Sequence, residues 1–446
     1  MGATSNGANF SMTFWQLISV IVDGVFTVAI AGLIVLAGSF LHLVVLHYRH
    51  RKRGLADEAA LMASPLPAAS KLPSVLVQVP CYNEGRMIER ILASLGELDW
   101  PKNRLTIQVI DQSDDGTTEI AKAAVAGLKD KGVTAEFIFR PVRVGFKAGA
   151  LAEGLEKSNA AFVAVFDVDF IAPPDFLKRC MRAMLADDKL AFVQSRLDFA
   201  NANRNWLTRA QRLILDAHYA VEQASRSWAG LPFQFDGTGG IWRRAAIDDV
   251  GGWDGKTLSE DLDLSFRVYL KGWRGRYLLN TTVTGEMPEA LGDWQTQQNR
   301  WSKGFMQVTI KLLPPIWRAS WPVGAKLAAT LHIGLAAFHP LAMVGVVTAA
   351  IGIAVHRSVV PELLIAPGLL LLVGLTAIVG VTFPGHRLLR GGGVASFVSR
   401  FASLPPLFVY LAFANTKGVI EAVLGRASAF VRTPKKGAND PTPETD

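Results

Sequence analysis

LPSVLVQVP at 72–80, LTIQVID at 105–111, EFIFR at 136–140 and FVAVFDVD at 162–169 are short runs rich in β-branched residues, and the stretches between them have helical character. Residues 84–95 and 117–129 are the helices expected after the first two runs. Strand and helix in alternation imply a parallel, Rossmann-like sheet. Such sheets bind ligands in the crevice beyond the carboxyl ends of their strands. Asp111 closes the second run, and Asp167 and Asp169 close the fourth, so their carboxylates are expected along one crevice.

Outward from this region the composition changes on both sides. Residues 16–46 are almost uninterruptedly apolar, longer than the roughly 20 residues that span a bilayer. The basic cluster His47–Arg53 follows at once, and Arg432, Lys435 and Lys436 lie near the other end. Basic residues at membrane edges mark the cytoplasmic side. The chain therefore reads as a tail (1–15), a membrane helix (16–47), a linker rich in Ala, Pro and Ser (48–71) and a soluble α/β domain (72–288). An interfacial segment (289–318) and membrane helices at 325–356 and 363–385 follow. Residues 394–414, broken by Pro405–Pro406, either cross or re-enter, and 415–446 form a cytoplasmic tail. A single full crossing at 394–414 would leave the basic tail outside, against the positive-inside tendency.

The net charge of +8 does not make this a nucleic-acid binder, because no basic stripe or recognised module accompanies it. Cys81 and Cys180 lie far apart without metal-ligand spacing, as expected of a reducing compartment without structural disulfides. Residues 1–13 lack Lys and Arg, and with them the basic start of a signal peptide.

Several residues have the chemistry of a site. Alternation along a strand would send Asp167 and Asp169 to one side, where hard carboxylate oxygens can share a divalent cation. A solvated strand end is the plainer account of such a triplet. Ser259-Glu260-Asp261 precedes an amphipathic helix, so Ser259 could cap it and the acids could favour its dipole. Alternatively Asp261 is a general base. His218 and Glu222, one turn apart, read as a hydrogen-bonded pair rather than metal ligands.

Taken in order, VPCYNE (79–84), IDQSDDGT (110–117), GFKAGAL (145–151), DVD (167–169), DGTGG (236–240), SEDLDLS (259–265) and QQNRW (297–301) resemble the family-2 inverting glycosyltransferases. These include the membrane-bound synthases of cellulose, mannan, hyaluronan and related β-glycans. Across 190–310 the wording looks most like the cellulose-synthase-like group that makes mannan or β-glucan backbones.

The resemblance implies a GT-A-like fold between membrane helices and a nucleotide-sugar donor, UDP-hexose or GDP-mannose. It implies that Glu84, Asp111 and Lys147 contact the donor, and that Asp167 and Asp169 hold Mg2+ or Mn2+ and the diphosphate. Asp261, with Glu260 beside it, matches the catalytic base, and Arg300 matches the diphosphate contact. Gln297 and Trp301 match the acceptor site. Phe430–Lys435 resembles the F-x-V-T-x-K loop of cellulose synthases, with Arg432 in place of Val, which would bring Thr433 and Lys435 to the diphosphate. The usual second acid after Asp111 is here Gln112, and the usual T-E-D is Ser259-Glu260-Asp261. The expected activity is inverting, metal-dependent transfer of a hexosyl group to a growing β-glycan. It is expected at the cytoplasmic face of the inner or plasma membrane. The alternative is addition of one sugar to a membrane lipid.

Overall fold

A computed structural model of the chain describes residues 14–356 and 362–426. The first helix, α1 (Phe14–Ala63), runs on through much of the segment read as a linker. At 1.5 Å per residue it is about 75 Å long, far more than a bilayer needs. Its last part docks on the soluble domain. There Glu58 is buried and accepts the backbone N–H groups of Leu279 and Asn280 at 3.0 and 2.8 Å. Gly54 leaves room for the Trp228 ring, which a Cβ would meet at 2.4 Å.

The soluble domain starts with β1 (Val75–Cys81), α2 (Met87–Gly96), β2 (Leu105–Asp111), α3 (Thr117–Asp130), β3 (Thr134–Phe139), α4 (Phe146–Glu156) and β4 (Phe162–Val165). Then come α5 (Phe176–Ala186), β5 (Leu190–Phe199), α6 (Trp206–Ala217), a π-helical turn His218–Gln223, α7 (Ala224–Trp228), β6 (Gly240–Arg243), α8 (Arg244–Asp249), α9 (Glu260–Leu270) and β7 (Arg274–Gly285). The strands form one sheet in the order β3-β2-β1-β4-β6-β5-β7. β1 through β4 are parallel, in a register that sets Cys81 beside Asp111 and Asp111 beside Phe139.

Two expectations need correction here. The sheet is mixed, because β6 is antiparallel to both β4 and β5. The chain enters β6 at the end of the sheet where β4 stops, with Gly240 paired to Val165, so it must run back. The fourth strand also ends at Val165, before the two aspartates. Asp167 turns out of the ladder, donating its N–H to Thr238 Oγ1 at 2.9 Å while its carbonyl accepts from Phe170 at 3.1 Å. Strand alternation therefore does not orient these carboxylates. Asp167 opens toward the crevice and Asp169 is buried.

A long helix, α10 (Leu291–Arg318), leads to α11 (Val323–Ile333), α12 (Phe338–His356), α13 (Glu362–Arg390), α14 (Val394–Phe401) and α15 (Leu404–Val423). Phe14–Ala63, Val323–Val355, Pro367–Arg390 and Val394–Val423 are long and apolar enough to cross a membrane. α1, α12 and α13 pack together, with Phe26, Ile30 and Leu33 against Phe338, Leu341 and Leu370. Further along, Gly380 of α13 meets Val44 of α1.

Candidate active site

The site gathers where β1, β2 and β4 stop. Behind β1, Asn83 takes a left-handed backbone (φ 54°) and locks to the loop behind β2. Its Nδ2 donates to Asp114 Oδ1 at 2.7 Å, and its Oδ1 accepts the Asp114 N–H at 3.1 Å. Asp111 lies beneath this junction, fully buried. Its carboxylate accepts from Ser113 Oγ at 2.6 Å, Ser113 N–H at 3.1 Å and Thr118 Oγ1 at 2.6 Å. Such a carboxylate shapes the loop from below. Glu84 sits half-buried in the same loop. Arg143, which the sequence reading did not select, lies 3.4 Å over the Tyr82 ring. Its signal is only visible in three dimensions, because Tyr82 and Arg143 are brought together by parallel pairing of β1, β2 and β3.

Gln112 acquires a structural explanation as well. Its Nε2 donates to the carbonyl of Phe146 at 3.2 Å, a residue with φ 47° that opens α4. A carboxylate in its place would carry no such donor. The next residue, Lys147, reaches the centre of the site. Its Nζ donates to Asp167 Oδ1 at 2.5 Å and to the Gly237 carbonyl at 2.9 Å, and stands 4.0 Å from Glu260. Burial opposes its charge, but Asp167 and Glu260 outweigh it and raise its pKa.

Glu260 and Asp261 open α9. Ser259 makes no side-chain cap, so the first-turn acids meet the positive end of the helix without it. Asp261 Oδ1 accepts the Leu262 N–H at 2.8 Å. Burial, then the neighbouring Glu260 carboxylate, push Asp261 up to about 8. Glu260 is raised as well, by burial. Gly237 has φ 79°, and a Cβ there would lie 2.9 Å from Asp261 Oδ2 and 3.5 Å from Lys147 Nζ. The loop thus packs backbone against the base candidate and the lysine together.

Arg300, on α10, is in electrostatic reach of Glu260, Asp167 and Asp261. Gln297 is half-buried one turn earlier, and the Trp301 ring is 39% exposed, enough for a flat ligand to stack on it. Thr433 and Lys435 lie outside the described residues. The structure thus brings Lys147, Asp167, Glu260, Asp261 and Arg300 into one cluster, with Asp111 below its floor.

His218 and Glu222 belong to a buried hydrogen-bonded network. Glu222 faces His218 and His332 at 2.9 Å each, and His218 Nε2 faces Asp236 Oδ1 at 3.4 Å. Burial opposes a charge on His218, but Asp236 and Glu222 prevail and push it up to about 10. Among the described residues no group of three or more His, Cys, Asp or Glu side chains could hold a metal.

A model of the family described as glycosyltransferase like family 2 matches residues 73–304. Glucomannan 4-beta-mannosyltransferase 2 of Arabidopsis thaliana is 39% identical over 254 residues, which are 56% of this chain and 48% of that protein. Glucomannan 4-beta-mannosyltransferase 7 of the same plant is 35% identical over 320 residues, 69% of this chain and 58% of that protein. The chain spans about half the length of the relatives it matches. A mannosyltransferase from Pyrobaculum calidifontis, solved with GDP-Man and Mn2+, superposes with a TM-score of 0.56 at 18% identity, over 88% of this chain and all of that one. That likeness is one of fold.

Proposed function

Because this chain belongs to glycosyltransferase family 2, we propose that it transfers a mannosyl group from GDP-mannose to a growing β-glycan, with inversion, at the cytoplasmic face of a membrane. The observation that carries the reading is the meeting of Lys147, Asp167, Glu260, Asp261 and Arg300 around the Gly237 turn. The sugar is chosen on the relatives, which are mannosyltransferases, and the nucleotide on the Pyrobaculum calidifontis structure.

On this reading the nucleotide lies over the Asn83–Asp114 junction, with Glu84 and Tyr82 beside it, and Asp111 keeps the junction in shape. Asp261 takes the proton from the acceptor hydroxyl, whose oxygen attacks the anomeric carbon from the face opposite the diphosphate. The bond from that carbon to the diphosphate oxygen breaks, and an α-linked donor gives a β-linked product. Lys147 and Arg300 meet the charge that develops on the leaving diphosphate. Trp301 offers an indole face to the acceptor pyranose, and Gln297 lies on the same stretch of α10.

A divalent cation suits the donor set. Asp167 opens to the crevice with Asp169 two residues on, and carboxylate oxygens are the hard donors that Mg2+ or Mn2+ prefer. Asp167 and Asp169 would hold it, the phosphates and water completing its shell. When bound, it neutralises diphosphate charge.

The test is to incubate the membrane-embedded protein with labelled GDP-mannose, UDP-glucose or UDP-N-acetylglucosamine and size the product. A high-mass ladder from GDP-mannose that endo-β-mannanase degrades is expected, and EDTA should abolish it. A single organic-extractable glycolipid from every donor would overturn the polymer reading and leave the donor-site assignments standing.

A further inference from the structure

Where α13 ends and α14 begins, four arginines from four elements meet two carboxylates. Arg390, the last residue of α13, donates from Nε and Nη2 to Asp216 of α6 at 2.8–3.2 Å. From Nη1 and Nη2 it also donates to Asp198 of β5 at 3.1 and 2.9 Å. Arg196 adds a bond to Asp198 at 3.1 Å. Both carboxylates are then committed, and two guanidinium groups are left over. Arg212 of α6 comes no nearer to Asp198 than 3.8 Å, and its buried Nε has no acceptor among the described residues. Arg400 of α14 reaches only Asn203, at 3.5 Å, and its buried Nη1 likewise has no acceptor.

A buried donor without an acceptor costs about 1–3 kcal/mol, and more when charged. Here two such donors belong to like charges in mutual reach. Burial, and then the Arg390 charge with a smaller contribution from Arg400, lower the Arg212 pKa. The cluster lies at a membrane edge. α13 is apolar enough to cross and ends at Arg390. The short helix α14 buries Phe397 and exposes Val394 and Val398, the pattern of a helix lying in the interface. Arg212 and Arg390 keep 16% and 19% of their side chains exposed, so the cluster opens to the outside.

We propose that Arg212 and Arg400, backed by Arg390, form a binding site for one phosphate group, supplied by the headgroup of an anionic lipid or by a soluble phosphate anion. A tetrahedral anion provides the acceptors that the two guanidinium groups lack and offsets the excess positive charge. Its occupancy ties α13 and α14 to the catalytic domain through α6, so the bound state resists unfolding more than the empty one.

The experiment reads thermal unfolding of the full chain by tryptophan fluorescence in nanodiscs. The discs contain phosphatidylcholine alone, phosphatidylcholine with phosphatidylglycerol, or phosphatidylcholine alone with millimolar inorganic phosphate. A gain in Tm of about 3 °C or more is expected with phosphatidylglycerol if the phosphate is a headgroup, and with inorganic phosphate if it is soluble. R212Q/R400Q should abolish that gain, whereas K52Q/R53Q, which removes exposed basic residues on α1, should keep it. Should R212Q/R400Q not fold, R400Q alone should at least halve the gain. No gain for the wild type in either arm overturns the site. So does a gain undiminished in R212Q/R400Q, or in R400Q where the double variant does not fold.

Discussion

As the proposed base, Asp261 would concentrate the chemistry and its electrostatic cost in one side chain. With its pKa pushed up to about 8, it is mostly protonated at neutral pH and accepts a proton only when ionised. We therefore expect kcat/KM to rise with pH through about 8 and level off above. Asp261→Asn should lower turnover by roughly 10²-fold or more with donor binding retained. The sign for stability follows from linkage. A carboxyl held above its ordinary value of about 3.9 binds its proton more tightly when folded, so wild-type stability falls as pH rises from about 4 to about 8. Asp261→Asn escapes that loss and should melt higher than wild type above pH 8, with little difference near pH 4; equal melting at both would refute the shift. Gly237→Ala probes the same point from the backbone. A Cβ at φ 79° and 2.9 Å from Asp261 Oδ2 should cut activity at least tenfold, measured as sugar incorporation, while the far side of the sheet keeps its hydrogen-exchange protection. At this scale the sequence showed where charge follows an apolar run or opens a helix, as at Asp167 and Asp261, which the structure brings into one cluster, though not that β4 stops before Asp167. It was not readable for Arg143 or Gln112, whose partners, Tyr82 and the Phe146 carbonyl, lie 61 and 34 positions away. Asp111 was readable as present at its strand end but not as occupied, because the Ser113 and Thr118 hydroxyls that saturate it are ordinary turn residues.

Elements were legible in proportion to their periodicity. The first three strands and the helices between them appear close to the expected places. The misreadings have local causes. Apolar residues run on past Val165, so nothing in the pattern says that the backbone of Asp167 leaves its ladder for Thr238. The linker of Ala, Pro and Ser contains good helix formers up to Ala63 and a prolyl stop only at Pro65, so α1 continues. The pairing of α10 with α15 was hidden altogether. Gln295 approaches Tyr410, Asn299 bonds the Ala414 carbonyl, and Lys303 meets Glu421 at 3.0 Å, so the two helices run side by side in the same direction. Lys303 is 1% exposed and sits one turn after Arg300. The next residue, Gly304, abuts Ser259, the residue before Glu260. Removing one partner of such a buried pair leaves a charge uncompensated, at about 3–5 kcal/mol. Lys303→Glu and Glu421→Lys should each lower turnover and Tm, and the double exchange should recover most of both; failure of the exchange to recover either would show that the pair does not set the position of α10.

At the scale of the whole molecule, the question left by the sequence is on which side the basic tail emerges. α1, α12 and α13 pack together and are apolar enough to cross, but α15 behaves differently. Its buried residues Leu404, Leu407, Leu411, Asn415, Gly418 and Ala422 extend along its full length. Their neighbours include Leu207 and Leu213 of α6, Trp294 and Asn299 of α10 and His339 at the start of α12. Helix α10 also carries Arg300 and Lys303, which belong beside the catalytic domain and cannot sit in hydrocarbon. A partner bound to it side by side over this length stays at the same depth. Meanwhile Val409, Phe413, Ile420 and Val423 are exposed, an apolar face suited to lie in the headgroup region. Although Val394–Val423 is long and apolar enough to cross, we therefore expect it to lie in plane as a pair of helices, with α1, α12 and α13 as the crossing set. Three crossings would put the end of α15 on the side opposite Phe14 and the same side as the catalytic domain, as the basic residues of the tail lead one to expect. The chain's own Cys81 and Cys180 are buried, so added cysteines can be read against a quiet background. In sealed vesicles of known orientation, Arg426→Cys should react with an impermeant maleimide only where Arg104→Cys reacts, and Phe14→Cys only in the opposite orientation. Labelling of Arg426→Cys together with Phe14→Cys would mean that α14 and α15 cross after all, and would move the tail away from the site.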